Sequence, residues 1–243
     1  MRHIAAVIVA AGLVLTGCST VKSKDIRTSG MSAGFVVTVD DNEQRAVATA
    51  SLRSGTLTYV DLGDGESISV TGSGAPQQLR RQKSLGTINY TSRLNDVLNA
   101  GTEITFALQR DSANESAPKS TVALPERVHL TAPTNSTTYS RQQPVPIRFE
   151  TAPTDQQTIL SWSGSCVTQG RMILTPGASS TVIPAGMLKA NTTTTSASPG
   201  QAATRCSVEI TLTREVEGRL DPAFKDGSVR AQAVSKRSIV STP

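Results

Sequence analysis

"TILSWSGSC" (158–166) and "CSVEITLTR" (206–214) decide the fold of this chain. Both alternate apolar and polar residues with a period of two, the pattern of a strand buried on one face. Leu160 and Trp162 share a face with Cys166, and Val208, Ile210 and Leu212 share one with Cys206. Both cysteines therefore fall in the inward sets of their strands.

The same alternation extends in both directions. Toward the C-terminus, "SVRAQAV" (228–234) and "RSIVST" (237–242) read as two closing strands. Toward the N-terminus, "RVHLTA" (127–132), "VPIRFE" (145–150), "RMILT" (171–175) and "STVIP" (180–184) complete a second set. Pro144 and Pro146 place "VPIRFE" near a sheet edge, because proline gives no ladder donor. "NTTTTSASPGQAAT" (191–204) is low-complexity and reads as an exposed loop.

A first set lies upstream. "GFVVTV" (34–39) and "RAVATASL" (45–52) flank the turn "DDNEQ"; "GTLTYVDL" (55–62) and "ESISVTG" (66–72) flank Gly63-Asp64-Gly65, which predicts a hairpin. "TINYT" (87–91), "TEITFALQR" (102–110) and "TVALP" (121–125) follow. Ser92 is placed to cap a short helix carrying Leu94, Val97 and Leu98. Ser and Thr make up 59 of 243 residues, a usage that favours strands and turns.

Residues 1–18 have the layout of an export signal: Arg2, then an uncharged run from Ile4 to Leu15, then small residues. That run is too short to span a bilayer, which takes roughly 20 apolar residues. Leu15-Thr16-Gly17-Cys18 resembles the lipobox of bacterial lipoproteins. The resemblance implies acylation of Cys18 and cleavage before it. Ser19, where enteric-type proteins of the inner membrane carry aspartate, implies the outer membrane. Lipidation of Cys18 leaves Cys166 and Cys206 as a pair, and an oxidising compartment makes a disulfide its default state. A bridge through the core beside the only tryptophan is similar to an immunoglobulin-type sandwich.

The expected fold class is therefore all-β, with two tandem antiparallel, immunoglobulin-like β-sandwich domains. The expected organisation is a signal peptide (1–17), a flexible lipidated tether (18–33), a first sandwich (34–124) and a second with the disulfide (125–243).

Candidate chemistry is sparse. Gly30-Met31-Ser32-Ala33-Gly34 matches the hydrolase G-x-S-x-G pattern, but a nucleophile elbow needs a strand before it and a helix after it. His129 is the sole histidine after the signal and reads as a strand-surface residue. The acidic stretches Asp61/Asp64/Glu66 and Asp40/Asp41/Glu43 read as turn chemistry rather than calcium loops. Among the aromatics, only Tyr139, in a polar stretch, looks free to contact a ligand. Arg80-Arg81-Gln82-Lys83 and Lys236-Arg237 read as solvated loops, too sparse for a nucleic-acid binder.

The lipobox, "LGDG" (62–65), "STVALP" (120–125), "SWSGSC" (161–166), "CSVEITLTR" and "LDPAF" (220–224) together resemble uncharacterised proteobacterial lipoproteins. These are structural turns and strands, so the resemblance implies architecture and no activity. The expected function is a membrane-anchored, non-enzymatic interaction or structural module of the cell envelope, with carbohydrate or envelope-polymer binding as the alternative and a hydrolase ranked below both. No catalytic residue, cofactor or metal is expected. Expected partners are the membrane, through the lipid anchor, and an envelope protein or glycan; nucleic acid is not among them.

Overall fold

The chain builds its strands where the period-two runs lie, and two cores form between them. The structure is a computed structural model that describes residues 19–94, 99–111, 115–150, 156–191 and 205–243. The signal, Cys18 and positions 95–98 of the expected helix lie outside the described residues. In chain order the strands are β1 (Ser19–Lys22), β2 (Ser32–Asp40), β3 (Arg45–Arg53), β4 (Thr58–Asp61), β5 (Ser67–Thr71), β6 (Gln77–Gln78), β7 (Arg80–Ser84), β8 (Thr87–Leu94), β9 (Glu103–Gln109) and β10 (Ala117–Ala123). There follow β11 (His129–Ala132), β12 (Thr138–Ser140), β13 (Val145–Glu150), β14 (Thr158–Gly164), β15 (Val167–Ile173), β16 (Ser180–Ile183), β17 (Cys206–Glu217) and β18 (Asp226–Thr242). Among the described residues the only helical turns are two short 3-10 segments, Ser23–Asp25 and Thr28–Gly30.

One large sheet runs β1-β4-β3-β2-β18-β17-β14-β15, with β8 and β7 added on β3 and β12 on β18. The sheet β10-β9-β5-β6 covers one part of it, and β11-β13-β16 covers another. The first core has Phe35 at its centre, stacked on Phe106 at 4.9 Å and meeting Phe224 edge-on at 5.7 Å. The second gathers Leu130, Ile147, Leu160, Trp162, Ile210 and Leu212, all buried. Strand parity predicted these faces correctly.

The boundary near residue 124 marks a change of core and not a break in the sheet. Residues 228–234 and 237–242, expected as two strands, form the single strand β18. It runs parallel to β2 from Asp226 to Val234 and antiparallel to β17 from Arg230 to Ser241. Val229 and Ala231 enter the first core; Ala233 and Ile239 enter the second. The β2–β3 turn clasps the joint: the Asp41 amide donates to the Val234 carbonyl at 2.9 Å, and the Lys236 amide to Asn42 Oδ1 at 2.7 Å. Buried Arg214 reaches the carbonyls of Glu126 and Arg127 and fixes the chain between the cores.

Several expectations are corrected. Residues 19–31 are not a free tether: β1 pairs in parallel with β4, and Ser23, Thr28 and Met31 are buried. Gly63-Asp64-Gly65 does not close a hairpin. β4 stays in the large sheet and β5 pairs with β9, so the turn carries the chain from one sheet to the other. Arg80–Lys83 lies in strand β7, which among the described residues pairs only with β8, and its cations suit an edge that must resist further pairing. Ser92–Leu94 belong to β8, not to a helix, because Leu94 pairs with Ala46. β13 is central in its sheet, yet Pro146 pairs only with Val182, beyond the reach of β11, so the proline is edge-like locally.

The Cys166–Cys206 disulfide is present, with Cα atoms 5.7 Å apart. It ties the β14–β15 turn to the start of β17, and β14 and β17 are neighbours in one sheet. The bridge therefore does not cross between sheets as the immunoglobulin comparison implied. Trp162 beside it packs against Gly170 of β15, where an added Cβ would lie 2.2 Å from the indole. Gly170→Ala is expected to cost about 1–3 kcal/mol by overpacking. Urea unfolding followed by Trp162 emission measures this, and an unchanged midpoint would show that the ring can swing aside.

Candidate functional site

The most concentrated electrostatics lie where the N-terminal segment meets the first core. Arg110, at the end of β9, is a buried charged residue. Its Nε donates to Glu66 Oε1 at 2.5 Å, one Nη to Thr28 Oγ1 at 3.1 Å, and the other to the carbonyls of Ser23 and Ile26 at 2.9 and 3.2 Å. Glu66 also accepts from the Ser23 hydroxyl and, at 3.1 Å, from the Gly63 amide. Next to it, Asp61 accepts from Lys22 at 2.9 Å and from Arg81 at 2.6 and 2.8 Å. Burial by itself would raise both carboxyls. The hydrogen bonds and cations outweigh it, so Asp61 and Glu66 titrate below their ordinary range. Tyr90 is shifted the other way, chiefly by burial. Its hydroxyl accepts the Leu62 amide at 2.9 Å.

These groups form structural ion pairs that lock residues 22–28 onto the core. A depressed native pKa contributes stability that is complete above the unfolded value and lost as pH falls through the native one. Stability is therefore expected to hold above about pH 4.5 and to decline in more acidic solution. Urea midpoints between neutral and acid pH measure the decline, and Glu66→Gln should flatten it. An equal slope in that variant would exclude Glu66 as a source.

Two of the clefts meet at Arg80. One, of about 560 Å³, is walled by Leu62, Glu66, Leu79, Arg81 and Tyr90, and its carboxylate is already bound. The other, of about 710 Å³, lies on the outer face of β3, β7 and β8 and is lined by Arg45, Val47, Gln77, Arg80, Gln82, Thr91, Ser92 and Arg93. Among the described residues no carboxylate lines it, and Arg45 pairs at its rim with Glu43. Alternation makes the cleft: Arg80 opposes Thr91 across β7–β8, and Arg93 opposes Val47 across β8–β3, all on one face. Guanidinium, amide and hydroxyl groups on an open surface suit an anionic or polyhydroxylated ligand.

The other candidates are dispersed. His129 Nδ1 lies 2.5 Å from Asp41 Oδ2, so the histidine links the second core to the β2–β3 turn. Asp40 accepts the Asn42 and Glu43 amides, as turn chemistry predicts. Ser32 begins β2, with a strand after it rather than a helix. Tyr139 is half-buried on β12 and packs against the second core. Sequence reading misses the arginine cleft because its members come from four strands, and the cluster at 80–83 reads locally as a loop.

No protein-family model and no curated protein matches the chain. One solved structure, a cytokine receptor complex, aligns with 83% of this chain and 94% of its own at 12% identity and a TM-score of 0.29. A score that low carries no argument about fold or function.

Proposed function

We propose that the protein is an outer-membrane-anchored lipoprotein acting as a non-enzymatic interaction module of the cell envelope. Its signal peptide (1–17) ends just before Cys18, which carries the lipid, and its two sandwich units share one sheet. The observation that carries the interaction role is the arginine cleft of β3, β7 and β8, where the guanidinium groups of Arg45, Arg80 and Arg93 line an open surface and, among the described residues, only Arg45 meets a carboxylate, that of Glu43 at the rim. The buried charges of Arg110, Glu66 and Asp61 join chain segments to one another, whereas the guanidinium groups of this cleft lie on an open surface that a partner can reach.

The same cleft favours one refinement, binding of an anionic envelope polymer. Among the described residues its lining has no aromatic ring for stacking on neutral sugars. Binding of the lipidated protein to lipopolysaccharide tests the reading. It should weaken with salt, and Arg80→Ala/Arg93→Ala should reduce affinity about tenfold or more, as expected for loss of charge-assisted hydrogen bonds. Equal binding by the double variant would remove the cleft from the function. A photo-crosslinker at Thr91 that captures no envelope component would count against the interaction role itself.

A further inference from the structure

One end of the large sheet displays leucines that the fold does not use. Leu57, in the β3–β4 loop, is 51% exposed, and Leu85, in the β7–β8 turn, is 98% exposed. Register places both at the same end of the sheet. β3 stops at Arg53, which pairs with Tyr59 near the start of β4. β8 is antiparallel to β3, so its start and the Leu85 turn before it point to the end where β3 stops. β1 enters there too: Ser19 pairs with Thr58, and its amide donates to the Leu57 carbonyl at 3.1 Å. Ser19 directly follows Cys18.

Leu85 breaks a local rule as well. It and Gly86 both have positive φ, 45° and 81°. Two-residue hairpin turns of that kind favour Asn, Asp or Gly at the first position, not a branched apolar residue. A leucine held in that conformation and fully exposed points to a role outside the fold. At the same end of the sheet stand exposed Arg53, Lys83 and Lys225, with the carboxylate of Asp226 beside Lys225 in sequence. Arg53 also stacks on Tyr59 at 4.9 Å and donates to its hydroxyl at 3.2 Å. Tyrosine and basic residues flanking apolar ones are the usual makeup of a surface at the level of lipid headgroups.

We infer that this end of the sheet docks on an anionic phospholipid bilayer, with Leu57 and Leu85 entering the interfacial layer and Arg53, Lys83 and Lys225 meeting headgroup phosphates. The inference rests on lipidation of Cys18. With β1 built into the sheet from Ser19, no slack separates the anchor from the domain, so the molecule stands on the membrane. β3 then holds Arg45 of the cleft about 25 Å above Arg53, at the usual strand rise. β18 carries the second core farther out, because it starts at the docked end. Met187, 42% exposed, lies near the distal end: the Gly186 amide donates to the Arg141 carbonyl, and the Arg141 amide to that of Thr242, the last residue of β18.

The test uses the mature, lipidated protein in vesicles of phosphatidylethanolamine and phosphatidylglycerol, with an environment-sensitive dye on Leu57→Cys, Leu85→Cys or Met187→Cys. All three positions are exposed, and unchanged Trp162 emission confirms folding of each variant. The expected result is blue-shifted emission at positions 57 and 85, quenched by brominated acyl chains, with water-like emission at 187. Water-like emission at all three positions in vesicle-bound protein overturns the docking while leaving the anchor intact. A mass lacking acyl chains on Cys18 overturns the anchor, and with it this inference.

Discussion

Arg110→Ala is expected to destabilise the protein by about 3–5 kcal/mol, the cost of leaving a buried carboxylate without its cation. Both partners are buried, Arg110 with no side-chain exposure and Glu66 with 3%. The loss is larger than one ion pair suggests, because the same guanidinium satisfies Thr28 and the Ser23 and Ile26 carbonyls. Those contacts hold the segment that returns the chain from β1 to β2. In the variant, trypsin should cut faster at Lys24 and Arg27, and urea unfolding should shift to lower concentration. Arg110→Met/Glu66→Gln removes both charges and should recover part of the stability while leaving the backbone carbonyls unpaired. If trypsin resistance is unchanged in Arg110→Ala, packing of Met31 and β1 pairing hold the segment without the charge cluster.

Cys166→Ala/Cys206→Ala is expected to cost about 4 kcal/mol, from the loop-closure entropy returned to the unfolded chain. The bridge spans a sequence separation of 40 residues. It pins the β14–β15 turn to the start of β17, at the end of the sheet distant from the first core. Trp162, the only tryptophan, lies in the second core, so its emission reports on the loss directly. Because β18 belongs to both cores, a two-state transition should persist, with far-UV dichroism and Trp162 emission moving together. Two separated transitions would show that the second core melts alone and that β18 does not couple the halves.

The faces of individual strands were legible from local sequence. In β9, Ile104, Phe106 and Leu108 are buried while their neighbours are not, as alternation requires. Parity likewise placed Trp162, Cys166 and the β17 set inward, and the cysteine count led to the observed pair. Failures arose where a local signal competed with a distant partner. Gly63-Asp64-Gly65 has the composition of a hairpin turn, but β5 finds a better neighbour in β9, with Val70 opposite Phe106. Residues 19–33 look like a tether because they are polar and aperiodic. Their anchor, Arg110, lies 87 residues from Ser23 and is invisible to any local window. The arginine cleft was missed for the same reason.

The sequence by itself determined that this is an all-β chain, which residues face inward, and which cysteines pair, since a period of two specifies a strand's buried face without reference to other strands. Only the tertiary structure decided which strands are neighbours, that β18 serves two cores, and that polar residues near the N-terminus are locked down. Strand pairing and buried charge depend on groups far apart in sequence, 39 positions for β1 with β4 and 194 for β2 with β18, and alternation carries no information about the partner.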